Sequence, residues 1–280
     1  MATIVDAHVH YWEPSTMERP WNPNGADLGP PWSVERLLEA AHAAGVDKIV
    51  QVTPSIMGED NRYSLEGAQH YPDRVAGVFG RFDPLAPDLE ERLARYAQDP
   101  RMLGVRLTLI RPEQRACLSD GTLDPLLNAC APRGIMIAIL APGHAPALGE
   151  LARKHPDAVV IADHMLLHHA DPEPFAHWDA VLALADVPNV WMKVDYFPEV
   201  AHEPFPFQSV DRYAREIYEG FGPDRMIWGS NFPPSQRAAT YGESVRYYRE
   251  LPFIPEADKA KIMGGTFLAL AQRARGAAAR

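Results

Sequence analysis

The chain has 280 residues, 46% hydrophobic and 23% charged, the balance of a globular protein with a full core. Lys plus Arg number 27 against 37 Asp plus Glu, a formal net charge of −10, so the positive surface that a nucleic-acid or anionic-membrane binder needs is absent. Two cysteines, Cys117 and Cys130, with no CxxC and no repeated spacing, exclude a disulfide framework and read as thiols of a reducing compartment.

The opening Met-Ala-Thr-Ile-Val-Asp lacks the basic and apolar regions of a secretory signal. The longest apolar runs, such as residues 135–142, are too short to span a bilayer. A soluble, cytoplasmic protein is expected.

Strands are read at residues 3–10, 48–54, 75–83, 103–110, 135–141, 158–164, 190–196 and 226–232. Most are apolar almost throughout, the pattern of parallel strands buried on both faces. Helix punctuation lies between them. Ser33 precedes a helix over residues 34–44 that Gly45 closes; Asp88 with Glu90 and Glu91 suits an N-terminus; Asp124-Pro125 opens a helix that Gly134 ends. Strands alternating with helices in this way predict an α/β fold, a distorted (β/α)8 TIM barrel with long βα loops over its C-terminal mouth. A doubly wound open sheet would carry a glycine-rich phosphate loop after its first strand, and His8-Val9-His10 stands there instead. No repeat or linker divides the chain, so residues 1–280 are expected as one domain, with 272–280 a frayed tail.

Two segments after strands are rich in proline and aromatic residues. Residues 11–32 hold five prolines with Trp12, Trp21 and Trp32, and residues 197–208 hold Pro198, Pro204 and Pro206 with three phenylalanines. Over a barrel mouth they would wall a pocket, with Trp12 a candidate substrate contact; the alternative is that they plug the barrel top.

The strongest local signal is Asp6-Ala7-His8-Val9-His10. Period-two geometry puts His8 and His10 on one face, where two imidazoles can hold a divalent metal or grip an oxyanion. His164 ends the sixth strand, and its parity with Val160 and Ala162 would place it beside them. Lys193 and Asp195 share a face at the end of the seventh strand, as a catalytic pair or a structural one. Arg106 and Arg81 are candidate carboxylate clamps, Arg106 favoured because Asp83 lies close to Arg81 in sequence.

Val5-Asp-Ala-His-Val-His10, Ile161-Ala-Asp-His164, Val190-Trp-Met-Lys193 and Met226-Ile-Trp-Gly-Ser-Asn-Phe-Pro-Pro234 together resemble the amidohydrolase superfamily, in its amidohydrolase-2 (amidohydrolase-related) branch and closest to the lactonase-type members. The resemblance spans essentially the whole chain. It implies the barrel, and a reaction drawn from metal-dependent hydrolysis, lactone hydrolysis with or without metal, or zinc-dependent decarboxylation. It also implies a metal set of the strand-one histidines, a histidine at the end of strand five and an aspartate after strand eight, with His164 a further ligand or a carbonyl-polarising imidazole.

Two positions depart from that set. Strand five, Ile135-Met-Ile-Ala-Ile-Leu-Ala141, carries no ligand, and His144 lies three residues beyond. Asn231 stands where the resemblance implies Asp, and an amide is a weak, neutral ligand that cannot take a proton from water. Asn231 is read as native and orienting water, as a replacement of Asp, or as the mark of a barrel that binds without turnover.

The leading expectation is an enzyme that hydrolyses a small cyclic ester (lactone) or related carbonyl compound. His8, His10, His164, Asp195 and Asn231 are the catalytic set, with the histidines polarising the carbonyl, Asp195 the candidate base toward water and Asn231 positioning or stabilising the oxyanion; Arg106, Lys193, Trp12 and Arg81 are substrate contacts. The cofactor is none, or one weakly held divalent metal, zinc or manganese, on His8, His10 and His164. The runner-up is a metal-dependent decarboxylase, and the third reading a non-catalytic ligand-binding barrel. A small-molecule substrate, no nucleic acid and no membrane are the expected partners, with a homo-oligomer left open.

Overall fold

The computed structural model describes residues 2–278, with the side chains of residues 277 and 278 left aside. Eight parallel strands form one sheet in the order β1-β2-β3-β4-β5-β6-β7-β8. They are β1 (Val5–Val9), β2 (Lys48–Val52), β3 (Val75–Gly80), β4 (Met102–Thr108), β5 (Met136–Leu140), β6 (Val160–Ala162), β7 (Val190–Val194) and β8 (Met226–Trp228). Each falls within or next to an expected run. The sheet curls round so that Asn231 N–H donates to His8 O (2.9 Å) and His10 N–H to Phe232 O (2.9 Å). Interleaved helices complete a (β/α)8 TIM barrel.

The helices begin and end where the local chemistry demands. In α1 (Val34–Ala43) the Ser33 hydroxyl accepts from the Arg36 N–H. α2 (Arg62–His70) and α3 (Leu89–Tyr96) follow β2 and β3. α4 (Asp124–Cys130) tightens into a 3₁₀ turn over Ala131–Arg133 and stops at Gly134, which is left-handed at φ 65°. α5 (Ala145–Lys154) and α6 (Trp178–Leu182) lie before β6 and β7. α7 (Asp211–Phe221) and α8 (Tyr241–Glu250) flank β8, the latter capped by a Thr240/Glu243 capping box.

The barrel interior holds Val5, Ala7, Val50, Val52, Phe79, Met136, Ala138, Ile161 and Ile227. Its floor is closed by α9 (Thr266–Ala278), through Phe267, Leu270, Ala271 and Ala274. The tail expected to fray after Ala271 is therefore helical as far as Ala278; residues 279–280 lie outside the described residues. Burial of Ala274 at 8% exposure supplies the reason, since the apolar stripe of the helix continues past Ala271. Among the described residues no helix is long and apolar enough to cross a membrane. Cys130 is buried and Cys117 half-buried, both as free thiols.

Gly134 shows how tightly floor and wall fit. A Cβ there would stand 2.1 Å from the Ala274 carbonyl oxygen, on a backbone that side chains rarely adopt. Gly134→Ala is expected to destabilise the fold by about 2–4 kcal/mol, as left-handed strain and a backbone clash add. Urea unfolding checks this; a loss below about 0.5 kcal/mol would show that α9 yields freely.

Candidate active site

The site gathers at the C-terminal ends of β1, β6, β7 and β8, and four of its residues reach it by breaking strand geometry. Val5 and Ala7 face the interior, so strict alternation would turn His8 and His10 outward. The β1–β2 register shifts between Asp6 and Val9, which brings both imidazoles inward and sends Val9 to the outer core. Asp6 anchors this irregular stretch by accepting from the N–H groups of His8 and Ser230 (both 3.0 Å), from the Ser230 hydroxyl and from Tyr241 OH (2.7 Å). Gly229 leaves the space, since a Cβ there would lie 2.8 Å from that of His8.

His164 differs from its expected route. Val160 and Ala162, whose parity was to guide it, belong to the outer core; Ile161 and Asp163 face inward. His164 joins the interior because its backbone is left-handed, at φ 55°, with Met165 and Leu166 alike. Asn231 is likewise re-aimed by φ 53°.

These departures bring the side chains together. His8 Nε2 is 3.3 Å from His10 Nε2, which is 3.3 Å from Asn231 Oδ1. His10 Nδ1 donates to Val52 O at 2.7 Å, so in the neutral ring its Nε2 carries a lone pair. Burial holds His10 down to about 3, against the pull of that hydrogen bond. Burial, then the neighbouring Lys193, holds His8 well below the usual imidazole range. Both rings are therefore neutral at pH 7.

Asp195 is fully covered and lies between two imidazoles, with both oxygens 3.0 Å from His164 Nδ1 and Oδ2 3.3 Å from His8 Nδ1. His164 Nε2 is 3.3 Å from Arg106 Nη2, and its ring stacks on Tyr196 at 4.5 Å. His8, His164 and Asp195 offer ligand atoms within 4.8 Å of one another, a group able to hold a divalent metal.

The expected substrate contacts divide. Arg106 is engaged: Nε donates to Asp163 Oδ2 (2.8 Å) and Nη1 to Thr108 Oγ1 (2.6 Å). Lys193, 1% exposed, is 2.8 Å from Asp163 Oδ1 and 3.4 Å from His8 Nδ1. Burial raises Asp163, but Lys193 and Arg106 outweigh it and hold the carboxyl well below its usual range. Arg81 is the freer cation. Its Nη1 donates to Thr108 Oγ1 at 3.1 Å, and among the described residues no carboxylate lies within 4 Å of it. Burial, then Arg106, pushes it down to about 9. Trp12 is fully buried against Ile56 and Met57. His144 bonds to Pro142 O at 2.9 Å, apart from the cluster.

Sequence reasoning missed Asp163 and Glu199. Asp163 was visible only as the neighbour of His164. Glu199, 4% exposed, sits on a helical turn, Phe197–Val200, within the aromatic loop after β7. Its Oε1 accepts from Asn231 Nδ2 at 2.7 Å and its Oε2 from Arg237. Burial pushes Glu199 up to about 7, against Arg237 and Asn231. A cavity of about 440 Å³ opens on its outer side, lined also by His169, His202, Glu203 and Arg237.

The Amidohydrolase family profile matches residues 5–269. An L-fucono-1,5-lactonase of Burkholderia ambifaria is 30% identical over 87% of this chain and 84% of its own. A 4-sulfomuconolactone hydrolase of Hydrogenophaga intermedia is 22% identical over 82% of this chain and 74% of its own. Among solved structures, an amidohydrolase from Burkholderia multivorans with bound zinc superposes with a TM-score of 0.83 at 22% identity, covering 97% of this chain and 99% of that one. With the profile spanning nearly all of the barrel and the histidine pair at its mouth, the chain belongs to the amidohydrolase family.

Proposed function

We infer that the protein hydrolyses a small lactone. The observation that carries this reading is the convergence of three atoms able to present lone pairs, His8 Nε2, His10 Nε2 and Asn231 Oδ1, beside the His164–Asp195 pair. Relatives named as lactonases support it.

The donors suit a divalent metal. Tetrahedral zinc ligands at about 2.0–2.1 Å stand about 3.3–3.4 Å apart, and the two separations here are 3.3 Å. His8, with Nδ1–H directed at Asp195, His10 and Asn231 would hold it. His164, an expected ligand, is better placed outside: Arg106 faces one of its nitrogens and Asp195 the other. The group of His8, His164 and Asp195 is flanked by the cations Lys193 and Arg106, which oppose a dication there. When bound, the metal supplies Lewis acidity to the ester carbonyl and eases deprotonation of water.

The protein's own groups do the rest. His164 Nε2 takes the proton of the attacking water in exchange for its 3.3 Å contact with Arg106 Nη2, while Asp195 keeps the Nδ1 proton in place and stabilises the imidazolium. Asp195 acts through the imidazoles and not on water directly, because its side chain is fully covered. Lys193 and Arg106, joined through Asp163, form a fixed positive wall near the developing oxyanion. Ring opening returns the proton to the leaving alkoxide and yields a hydroxy acid.

Arg81, in preference to Arg106, is the carboxylate clamp in this reading, since its guanidinium has no anionic partner to give up among the described residues. Arg81→Met is expected to raise KM at least about tenfold for lactones carrying a carboxylate, and to leave neutral sugar lactones within about twofold. Steady-state acid release from the two classes checks it; equal effects on both would remove Arg81 from that role. Carbon dioxide release from an aromatic carboxylate, with all lactones inert, would favour the decarboxylase reading instead.

A further inference from the structure

The amide at residue 231 is held by a carboxylate behind it. Glu199 Oε1 is 2.7 Å from Asn231 Nδ2, and the other end of that amide, Oδ1, faces His10 Nε2 at 3.3 Å. Flipping the amide would exchange the charge-assisted bond to Glu199 for a lone-pair conflict of Oδ1 with the carboxylate, and would turn Nδ2, a donor that cannot hold a cation, toward His10 Nε2. Glu199 is itself fixed: its side chain is fully covered, and Arg237, which also reaches Tyr196 OH (3.2 Å) and His169 Nδ1 (3.2 Å), holds Oε2.

We propose that Glu199 is a positioning residue that locks Asn231 with its oxygen toward His10 and returns, one residue further out, the negative charge that an aspartate at 231 would have carried. The proposal rests on the assignment of His8, His10 and Asn231 as metal-holding residues. A neutral amide oxygen is a weak ligand, and a charged acceptor on its Nδ2 polarises the amide and makes that oxygen a better donor. The groups facing Glu199 are Arg237 and Asn231 in contact, His169, His202 and Glu203 around the cavity, and Asp195 and His164 from the inner side.

The same geometry gives residue 231 an unusual constraint. Asn231→Asp, which installs the expected carboxylate, would set it against Glu199 at hydrogen-bond distance, where the two can stand only by taking up a shared proton, so the change is less favourable unless Glu199 is altered too. The test is calorimetric titration of zinc, at pH 8, into chelator-stripped wild type and the variants Glu199→Ala, Asn231→Asp, Glu199→Gln and the double variant Asn231→Asp/Glu199→Gln. Thermal unfolding of each accompanies the titration.

Glu199→Ala is expected to weaken zinc binding about 10–100-fold, the usual cost of losing a group that orients a ligand. The double variant is expected to bind zinc at least about tenfold more tightly than Asn231→Asp alone, since the side-chain amide that Glu199→Gln introduces can donate to the new carboxylate. A merely structural Glu199 would lower the melting temperature of both Glu199 variants without that rescue. Zinc affinity of Glu199→Ala within twofold of wild type, Asn231→Asp equal to or tighter than the double variant, or no zinc binding by the wild type overturns the proposal. Zinc affinity is read without any substrate, so coupling between residues 199 and 231 in a protein inert to lactones would refute the lactonase reading and leave this one standing.

Discussion

Asp195→Asn is expected to lower kcat for lactone hydrolysis by about 10²–10⁴-fold while the protein stays folded. The carboxylate has both oxygens 3.0 Å from His164 Nδ1 and one 3.3 Å from His8 Nδ1, so two imidazoles depend on one anion. An amide in its place offers a single acceptor oxygen and turns an N–H toward one of the rings. That ring must then present a lone pair to it and a proton to the centre, the wrong tautomer for either role. The loss should lie in kcat more than in KM, because Asp195 makes no contact with substrate. Steady-state kinetics with thermal unfolding as control decide the point. A variant within fivefold of wild-type kcat would remove Asp195 from the mechanism.

The second large effect concerns stability. Asp163→Asn is expected to cost about 3–5 kcal/mol, the range for leaving buried charges without their partner. Asp163 is fully buried and serves two cations at once, Arg106 Nε and Lys193 Nζ, each at 2.8 Å. Its carboxyl is held below its usual range in the fold, so the stabilisation is fully present above the unfolded value near 4 and fades as pH falls below it. Urea unfolding at pH 7 and pH 3 measures both features. The deficit of the variant should shrink toward the acid end; a deficit below about 1 kcal/mol at pH 7 would mean that water or another anion relieves Lys193 and Arg106.

The strands were legible because parallel strands buried on both faces leave unbroken apolar runs such as residues 135–141, bounded by Gly134 and Pro142. The histidine pair was legible as a motif, and its i, i+2 spacing does put both rings on one side. The path by which they arrive was not, because a register shift in β1 and left-handed backbone at His164 and Asn231 have no signature in hydrophobic periodicity. Charge partnership was equally hidden. Arg106 read as the freer guanidinium and Arg81 as the one tied to Asp83, whereas the fold gives Arg106 to Asp163 across 57 residues and pairs Arg81 with no carboxylate among the described residues. Glu199 carried one available signal, an acidic side chain between Pro198 and Val200 in a loop already placed at the mouth. Its pairing with Asn231, 32 positions on, is a tertiary fact.

The lactonase reading makes the histidine pair indispensable to chemistry and nearly irrelevant to the barrel wall. The most direct measurement is acid release from a panel of neutral sugar 1,5-lactones and carboxylate-bearing lactones, followed by pH-indicator absorbance with zinc or manganese supplied. Wild type is compared with His10→Ala and with His144→Ala, whose imidazole lies outside the cluster. The account predicts turnover of at least one lactone by the wild type, loss of about 10³-fold or more in His10→Ala, and rates within twofold of wild type in His144→Ala. Lactone hydrolysis that survives in a folded His10→Ala, or a wild type that opens no lactone under these conditions, would contradict it.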